Sequence, residues 1–238
     1  MKTLFLHNRA VLALFVLASA IFVSCEKHEI DAIQKPIDPQ AGLASLKDSA
    51  SYTINGKRYV CDDRHMSGRG NIAANRDSAT GLFLQSDTML YYTACGFGKQ
   101  QDADRSDDGR LTIYFIRKYA KNQLVTSASV PALLQPENLA DHYKLGQYRY
   151  TFDFKQDNRQ NGINLTVRKV NGNEAEDMST QPFVKASHSQ DNSTFAITRF
   201  EPIGDGSYLL EAKFTANVFD ANQTPTRVEN GYMRFRVY

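Results

Sequence analysis

The chain has 238 residues, with 28 Lys and Arg residues against 26 Asp and Glu residues and a formal net charge of +2. This near balance excludes the strongly basic surface typical of nucleic-acid-binding proteins, and we expect no nucleic-acid partner. The length suffices for one large domain, or two small ones, with a buried core.

The first 25 residues have the three-part layout of a secretory signal peptide. Lys2 and Arg9 form a positive segment, residues 10–23 are all apolar or small, and Ser24 directly precedes Cys25. The apolar run is too short and too isolated for a stable transmembrane helix. We therefore predict a signal peptide over residues 1–24.

The four residues Phe22-Val23-Ser24-Cys25 resemble the lipobox that lipoprotein signal peptidase recognises. The resemblance implies lipidation of Cys25, with a diacylglycerol on its sulfur and an acyl chain on its new amino group. The expected partner is then a membrane, and the expected location is the outer membrane, facing the periplasm or the cell exterior. The alternative is ordinary secretion, with Ala18-Ser19-Ala20 as the cleavage site.

Cleavage before Cys25 removes Lys2 and Arg9 and no acidic residue. The basic count falls from 28 to 26, which equals the acidic count, so the mature chain has a formal net charge of zero. Residues 25–50 are polar, carry Pro36 and Pro39 and show no sustained periodicity. This composition predicts a flexible tether between the lipidated cysteine and the folded domain.

Residues 51–238 alternate between apolar and polar side chains in most segments, which is typical of strands with one buried face. The first such segment contains Asn55-Gly56 between two strands, the strongest short signal for a type I′ hairpin turn. Alternation recurs in four further runs: Tyr148 to Phe154, Ile163 to Val167, Tyr208 to Val218 and Met233 to Val237. Met89 to Ala94 and Leu111 to Ile116 are more continuously apolar, as expected of strands covered on both faces.

About ten strands with short turns predict a single all-β domain over residues 51–238, an antiparallel β-sandwich or barrel-like fold. Only residues 130–143 interrupt the strand pattern, and there we expect one or two short helical turns. No linker divides the segment.

The last third of the chain contains Phe195 to Phe200, then Leu210 to Ala216, and a closing Val228 to Phe235. With the opening Tyr52-Thr53-Ile54-Asn55-Gly56-Lys57, this order resembles uncharacterised lipoprotein families of Bacteroides-type bacteria. The resemblance covers about a third of the chain. It implies a compact β-sandwich of unknown activity and supplies no catalytic residues.

Two cysteines remain after lipidation, Cys61 and Cys95, and both lie in predicted strands. An oxidising compartment permits a disulfide bond between them. The alternative is a pair of buried thiols that behave as small apolar side chains.

Two polar segments have the composition of metal or acid–base sites. Asp104, Ser106 and Asp108, followed by Gly109, match the start of a calcium-binding loop, but its twelfth position is Phe115 instead of Glu. A solvated acidic loop is the alternative, and calcium is the only cofactor that the sequence suggests. Asp62, Asp63 and His65 follow a predicted strand and contain the groups needed for metal binding or acid–base catalysis; ordinary loop solvation is the alternative.

Two further features concern the surface. Tyr232, Arg234, Arg236 and Tyr238 share the outward face of the last strand and form a predicted aromatic-cationic binding strip, with ordinary cross-strand pairing as the alternative. Ser49, Ser78 and Thr88 each follow an Asp and precede a small or apolar residue. These three sites resemble the O-glycosylation motif of Bacteroides-type exported proteins.

The sequence contains no G-x-S-x-G, H-E-x-x-H, P-loop or G-x-G-x-x-G motif. We therefore expect a non-enzymatic binding module that recognises a glycan or an envelope protein. A fimbria- or adhesin-like structural subunit is the first alternative. A small hydrolase that uses Asp62, Asp63 or His65 is the second.

Overall fold

The computed structural model describes residues 42–43, 45–62, 64–75, 86–98, 109–130, 132–171, 174–182, 189–204 and 206–238. All of them belong to one compact unit, residues 40–238. The predicted signal peptide, Cys25 and most of the predicted tether lie outside the described residues.

Thirteen strands and two short 3-10 helices make up the described chain. The strands are β1 (Ser49–Ile54), β2 (Lys57–Cys61), β3 (Arg64–Ala73), β4 (Thr88–Phe97), β5 (Leu111–Ala120), β6 (Leu124–Thr126), β7 (Leu134–Pro136), β8 (Gly146–Tyr148), β9 (Gly162–Asn171), β10 (Glu174–Ser179), β11 (Thr194–Pro202), β12 (Tyr208–Phe219) and β13 (Pro225–Val237). The 3-10 helices are Lys121–Gln123 and Leu139–His142. The second is the helical turn expected within residues 130–143.

Eleven strands form one sheet in the order β2-β1-β13-β12-β10-β9-β5-β4-β3, and its paired strands are antiparallel. The sheet branches at β12, which also pairs with β11, and β11 in turn pairs with β8. Strands β6 and β7 form a separate hairpin. The sheet curls into a half-barrel, which confirms the predicted all-β, barrel-like fold.

The two outermost strands of the sheet, β2 and β3, are consecutive in the chain and are joined by residues 62–63. Because so short a link cannot span a wide gap, the two edges of the sheet meet where β2 ends and β3 begins. Arg236, near the end of β13, lies at the same place. We call this meeting point of Asp48, Asp62, Arg64 and Arg236 the seam.

The concave face of the sheet surrounds the main core. Alternate residues of the long strands supply it, including Ile163, Leu165 and Val167 of β9 and Leu210 to Val218 of β12, as their periodicity predicts. A second, smaller cluster lies on the opposite face of β4 and β5, where Leu90 and Ile116 pack against Phe154. The expectation that β4 and β5 are covered on both faces is confirmed.

The hairpin between β1 and β2 forms at the predicted turn. Ile54 pairs with Lys57, and Asn55 and Gly56 have φ angles of 50° and 77°, as a type I′ turn requires. The sheet nevertheless begins at Ser49, two residues before the predicted domain boundary, because Ser49 and Ala50 already pair with β13.

The predicted strand over Tyr148 to Phe154 is wrong in its second half. Only Gly146–Tyr148 forms a strand, and Tyr150 then makes an isolated parallel bridge with Ile163 of β9 before the chain turns. The side chain of Asp153 explains the turn, because its carboxylate accepts hydrogen bonds from the main-chain N–H groups of Arg159 and Gln160. Phe154 is still buried, but it covers the outer face of the sheet and is not a strand residue.

A glycine in β13 permits close packing between the last two long strands. Gly231 pairs with Phe214 of β12, and a Cβ atom at position 231 would lie 2.4 Å from the Phe214 ring. The aromatic ring therefore covers the bare glycine main chain. Asn230, just before it, has a φ of 51°, and the pairing shifts register between Phe214 and Ala216.

Candidate functional site

An ion pair at the seam substitutes for a missing strand beside Arg236. Arg64 Nη1 lies 2.9 Å from Asp48 Oδ2 and donates a hydrogen bond of 2.8 Å to the main-chain oxygen of Arg236. The main-chain N–H of Arg236 donates to Asp48 Oδ1 at 3.0 Å. Both main-chain groups of Arg236 are thus satisfied by side chains of the Asp48–Arg64 pair.

The topology explains why side chains are needed here. Strand β1 starts at Ser49, which pairs with Arg234, so no residue of β1 lies opposite Arg236. Asp48 immediately precedes β1 and Arg64 is the first residue of β3, so both edges of the sheet contribute one partner. Their side chains are only 21% and 17% exposed. Because so little of these side chains is exposed, dissolved salt screens this ion pair less than it screens an ion pair on the surface.

A cleft of about 410 Å³ opens beside the seam, between β3 and the end of β13. One wall comes from Arg64 and from Ser67 to Arg69 of β3, and the other from Arg236 to Tyr238. Buried side chains of the main core form the floor, among them Cys95, Phe115 and Phe235. The volume is within the range of small-ligand sites.

Positive charge dominates this seam cleft. Arg64, Arg69 and Arg236 line it, and no acidic side chain occurs among its described lining residues. Asp48 pairs with Arg64, whereas Arg69 hydrogen-bonds the Ser129 hydroxyl and makes no ion pair with any described residue. The Arg69 guanidinium is therefore a cation without a counter-charge in the described cleft, and it has the geometry that suits a carboxylate or phosphate.

The thiol and the phenol hydroxyl in the floor of the seam cleft are not activated for covalent chemistry. Burial raises the pKa of the Cys95 thiol to about 12, so it stays protonated at neutral pH. Burial also raises the pKa of Tyr143, whose hydroxyl donates to the Thr93 hydroxyl at 2.7 Å. Neither group has the lowered pKa of an activated nucleophile, and the arrangement suits binding better than covalent chemistry.

The predicted binding strip faces outward but divides into two parts. Its neighbours Gly231, Met233, Phe235 and Val237 are buried, which confirms the predicted alternation. Tyr232 and Arg234 lie near Glu211 of β12, as in the cross-strand alternative, and Arg234 also donates to the main-chain oxygen of Lys47. Arg236 and Tyr238 instead line the seam cleft, so only this half of the strip belongs to the candidate site.

Cys61 and Cys95 are both buried, and the structure has no disulfide bond between them. The disulfide bond stays a prediction, and so does the alternative of two thiols that act as small apolar groups. The two cysteines lie in β2 and β4, on opposite sides of the seam.

Asp62 is exposed in the link between β2 and β3, whereas Asp63 and the side chain of His65 lie outside the described residues. In the described part of the chain, no three His, Cys, Asp or Glu side chains are grouped as metal ligands. The calcium-like residues Asp104, Ser106 and Asp108 also lie outside the described residues.

Of the three glycosylation motifs, Ser78 lies outside the described residues. Ser49 and Thr88 are the first residues of β1 and β4, and both are partly buried. The Thr88 hydroxyl lies 2.7 Å from the Ser86 hydroxyl, and Asp48 of the first motif is held by Arg64. Glycosylation at these positions stays a prediction.

Sequence reasoning missed three residues of the site: Asp48, Arg64 and Arg69. Asp48 fell within the predicted tether, and the other two lie in a Gly- and Ser-containing segment without clear alternation. The partners of Asp48 and Arg64 on β13 are 188 and 172 residues away in the chain, so no local pattern signals their contact.

Two further observations concern membrane-spanning helices and similarity to known proteins. Among the described residues, no helix has both the length and the apolar character needed to cross a bilayer. Comparison of the chain with family models, with curated proteins and with solved structures returns no match.

Proposed function

We propose that this protein is a lipoprotein of the cell envelope, anchored through Cys25, whose β-domain is a non-enzymatic binding module. The single observation that supports binding most directly is the seam cleft, which has an apolar floor, three arginines and no described acidic lining residue. Mostly apolar pockets with a few convergent polar groups are the usual form of ligand sites.

The ligand class that fits this cleft best is a carboxylated glycan. Arg69 can donate two parallel hydrogen bonds to a carboxylate, and Ser67 adds a hydroxyl on the same strand. Tyr238, 69% exposed at the rim, offers an amphipathic ring with a hydroxyl. A sugar bearing a uronic acid combines the anionic, hydroxyl and apolar surfaces that these three groups complement.

The test uses the full-length lipidated protein in nanodiscs of zwitterionic phosphatidylcholine and immobilised polygalacturonate. We expect saturable binding that weakens with salt, and no binding to neutral dextran. Arg69→Gln should weaken binding about tenfold, the effect of losing one charge-assisted contact. Arg58→Gln, which removes an exposed arginine of β2 outside the cleft, is the matched control and should bind normally.

Equal binding of polygalacturonate and dextran would reject the acidic-glycan class, and equal loss in the Arg69 and Arg58 variants would reject the cleft as the site. Thermal unfolding of both variants accompanies the measurement. Arg69 has no ion pair among the described residues, so its replacement should leave the melting temperature nearly unchanged.

One observation favours the fimbria-like alternative. Strand β3 pairs with β4 alone, so among the described strands its other edge is open beside the cleft. Open strand edges accept an additional strand from another chain. Polymerisation after proteolytic trimming of the N-terminal segment would support this alternative, and a protein that stays monomeric after trimming would reject it.

A further inference from the structure

A second pocket, of about 320 Å³, lies away from the seam, between the end of β5, the start of β9 and the residues around β8. Phe115, Ile116 and Tyr148 contribute apolar surface to it. Leu145 stands at its rim with 65% of its surface exposed, one of the most exposed large apolar side chains among the described residues. Such exposure of an apolar side chain next to a pocket is a common feature of binding surfaces.

Three cations surround this apolar surface: Arg117, Lys144 and Arg149. No acidic side chain is among the pocket's described lining residues, and none of the three cations makes an ion pair with a described residue. Arg117 donates instead to the main-chain oxygen of Asp141. Lys144 and Arg149 are exposed, and their charged groups have no hydrogen-bond partner within the described part of the chain.

The polar groups beneath the cations already have partners. His142 Nε2 donates to the main-chain oxygen of Phe115 at 3.1 Å, and its Nδ1 accepts from the Tyr119 hydroxyl. The Tyr148 hydroxyl bonds both main-chain groups of Lys144. The interior of the pocket therefore presents a satisfied, mostly apolar surface, and its charges are confined to the rim.

We propose that this second pocket binds a single-chain amphiphile whose anionic head group, a carboxylate or a phosphate monoester, lies between Lys144 and Arg149. The apolar body packs against Leu145 and the Tyr148 ring. Charge complementarity supports the head-group position, because two exposed cations line the same pocket and make no ion pair with a described residue. Phe115 is the one described residue that lines both pockets, and the proposal does not depend on the ligand of the seam cleft.

The experiment is photolabelling of the full-length protein in nanodiscs of zwitterionic phosphatidylcholine. A decanoic acid that carries a diazirine is the probe, and mass spectrometry locates the adducts. We expect adducts within residues 142–149 and 115–117. Unlabelled decanoate and decyl phosphate should each be tested as competitors, and the better competitor identifies the preferred head group. Decanol, which lacks the charge, should compete at least tenfold less well.

The double variant Lys144→Gln/Arg149→Gln should lower labelling about tenfold, since two charge-assisted contacts are lost. The control Arg58→Gln/Lys213→Gln removes two exposed cations from β2 and β12 and should label normally. Leu145→Ser should lower labelling by decanoate more than labelling by a shorter hexanoic acid probe. Arg69→Gln, in the seam cleft, should have no effect.

Three outcomes would overturn this inference. If decanol competed as well as decanoate, the pocket would not require an anionic head group. Equal loss of labelling in the control variant would show an unspecific charge effect. Binding of the domain to anionic vesicles without free amphiphile, lost in the Lys144/Arg149 variant, would identify a membrane-surface contact instead of a pocket for a single amphiphile.

Discussion

Asp48 and Arg64 form one ion pair and together satisfy both main-chain hydrogen-bonding groups of Arg236. An ion pair that accepts from an N–H and donates to a C=O of the same residue does what a neighbouring strand would do. This contact joins the two edges of the curled sheet to its last strand, and it borders the seam cleft.

Asp48→Ala should lower the free energy of unfolding by about 2 to 4 kcal/mol, because it leaves a poorly exposed guanidinium and a main-chain N–H without their partner. Urea unfolding followed by circular dichroism measures the change. Asp177→Ala is the matched control, since Asp177 pairs with Arg168 at the same 2.9 Å but is 46% exposed. The control should lose less than about 1 kcal/mol, and equal losses would contradict the role of the seam.

Gly231→Ala should be destabilising by about 1 to 3 kcal/mol, because the added Cβ would meet the Phe214 ring at 2.4 Å. Gly68→Ala is the control: no atom lies within 4 Å of its added Cβ, and the change should be neutral or slightly stabilising. Thermal melting of both variants provides the comparison. If the Gly231 variant were as stable as the Gly68 variant, this would contradict the close packing of Gly231 against the Phe214 ring.

Burial lowers the pKa of His142 to about 3 from an ordinary value of 6.5. Between these values the unfolded chain binds a proton that the folded chain does not. The contribution of His142 to the free energy of unfolding is therefore complete above pH 6.5. As the pH falls from 6.5 toward 3, this free energy decreases by about 1 kcal/mol per pH unit. In NMR titration, the His142 ring signals should stay unchanged from pH 8 to pH 5, and a midpoint near 6.5 would contradict its burial.

Cys61 and Cys95 should resist iodoacetamide at pH 8 in the folded protein and react after unfolding, because both are buried and the Cys95 thiol remains protonated. Mass spectrometry without reductant distinguishes this outcome from the predicted disulfide bond. Two alkylated residues in unfolded, unreduced protein support the thiols. An unmodified pair that becomes reactive only after reduction would establish the bridge instead.

Globomycin, the inhibitor of lipoprotein signal peptidase, should cause the uncleaved precursor to accumulate in the native host or a host with the same export pathway. Cys25→Ala should have a similar effect on processing and should abolish labelling with a radioactive fatty acid. Complete processing in the presence of globomycin would instead favour ordinary secretion after Ala18-Ser19-Ala20.

Local signals in the sequence predicted those parts of the fold that depend on neighbouring residues. The Asn55-Gly56 turn and the alternation in β9, β12 and β13 are examples, since each reflects a preference for positive φ or a period of two. The prediction over Tyr148 to Phe154 failed because strand β8 ends at Tyr148 although the apolar alternation continues. The Asp153 side chain then holds a turn by accepting hydrogen bonds from the main-chain N–H groups of Arg159 and Gln160.

The candidate site was predicted only in part, for a different physical reason. Arg236 and Tyr238 were found because alternation shows which face of a strand is outward. Arg69 and the Asp48–Arg64 pair depend on contacts between distant strands, and the hydrophobic pattern does not encode them. The position of His142 under the second pocket follows only from its contacts with Tyr119 and Phe115, which lie 23 and 27 residues away in the chain.

The pairing of Ser49 with Arg234 places the beginning of the sheet against its last strand. In a chain that crosses a membrane from its N-terminus, β13 emerges last. Strand β1 can therefore pair with both of its neighbours, β2 and β13, only after nearly the whole protein has crossed. Contacts of such high sequence separation slow folding. Enzymes that modify a cysteine near the N-terminus would therefore act while the sheet is still incomplete. The end of translocation would determine when the half-barrel can finish folding.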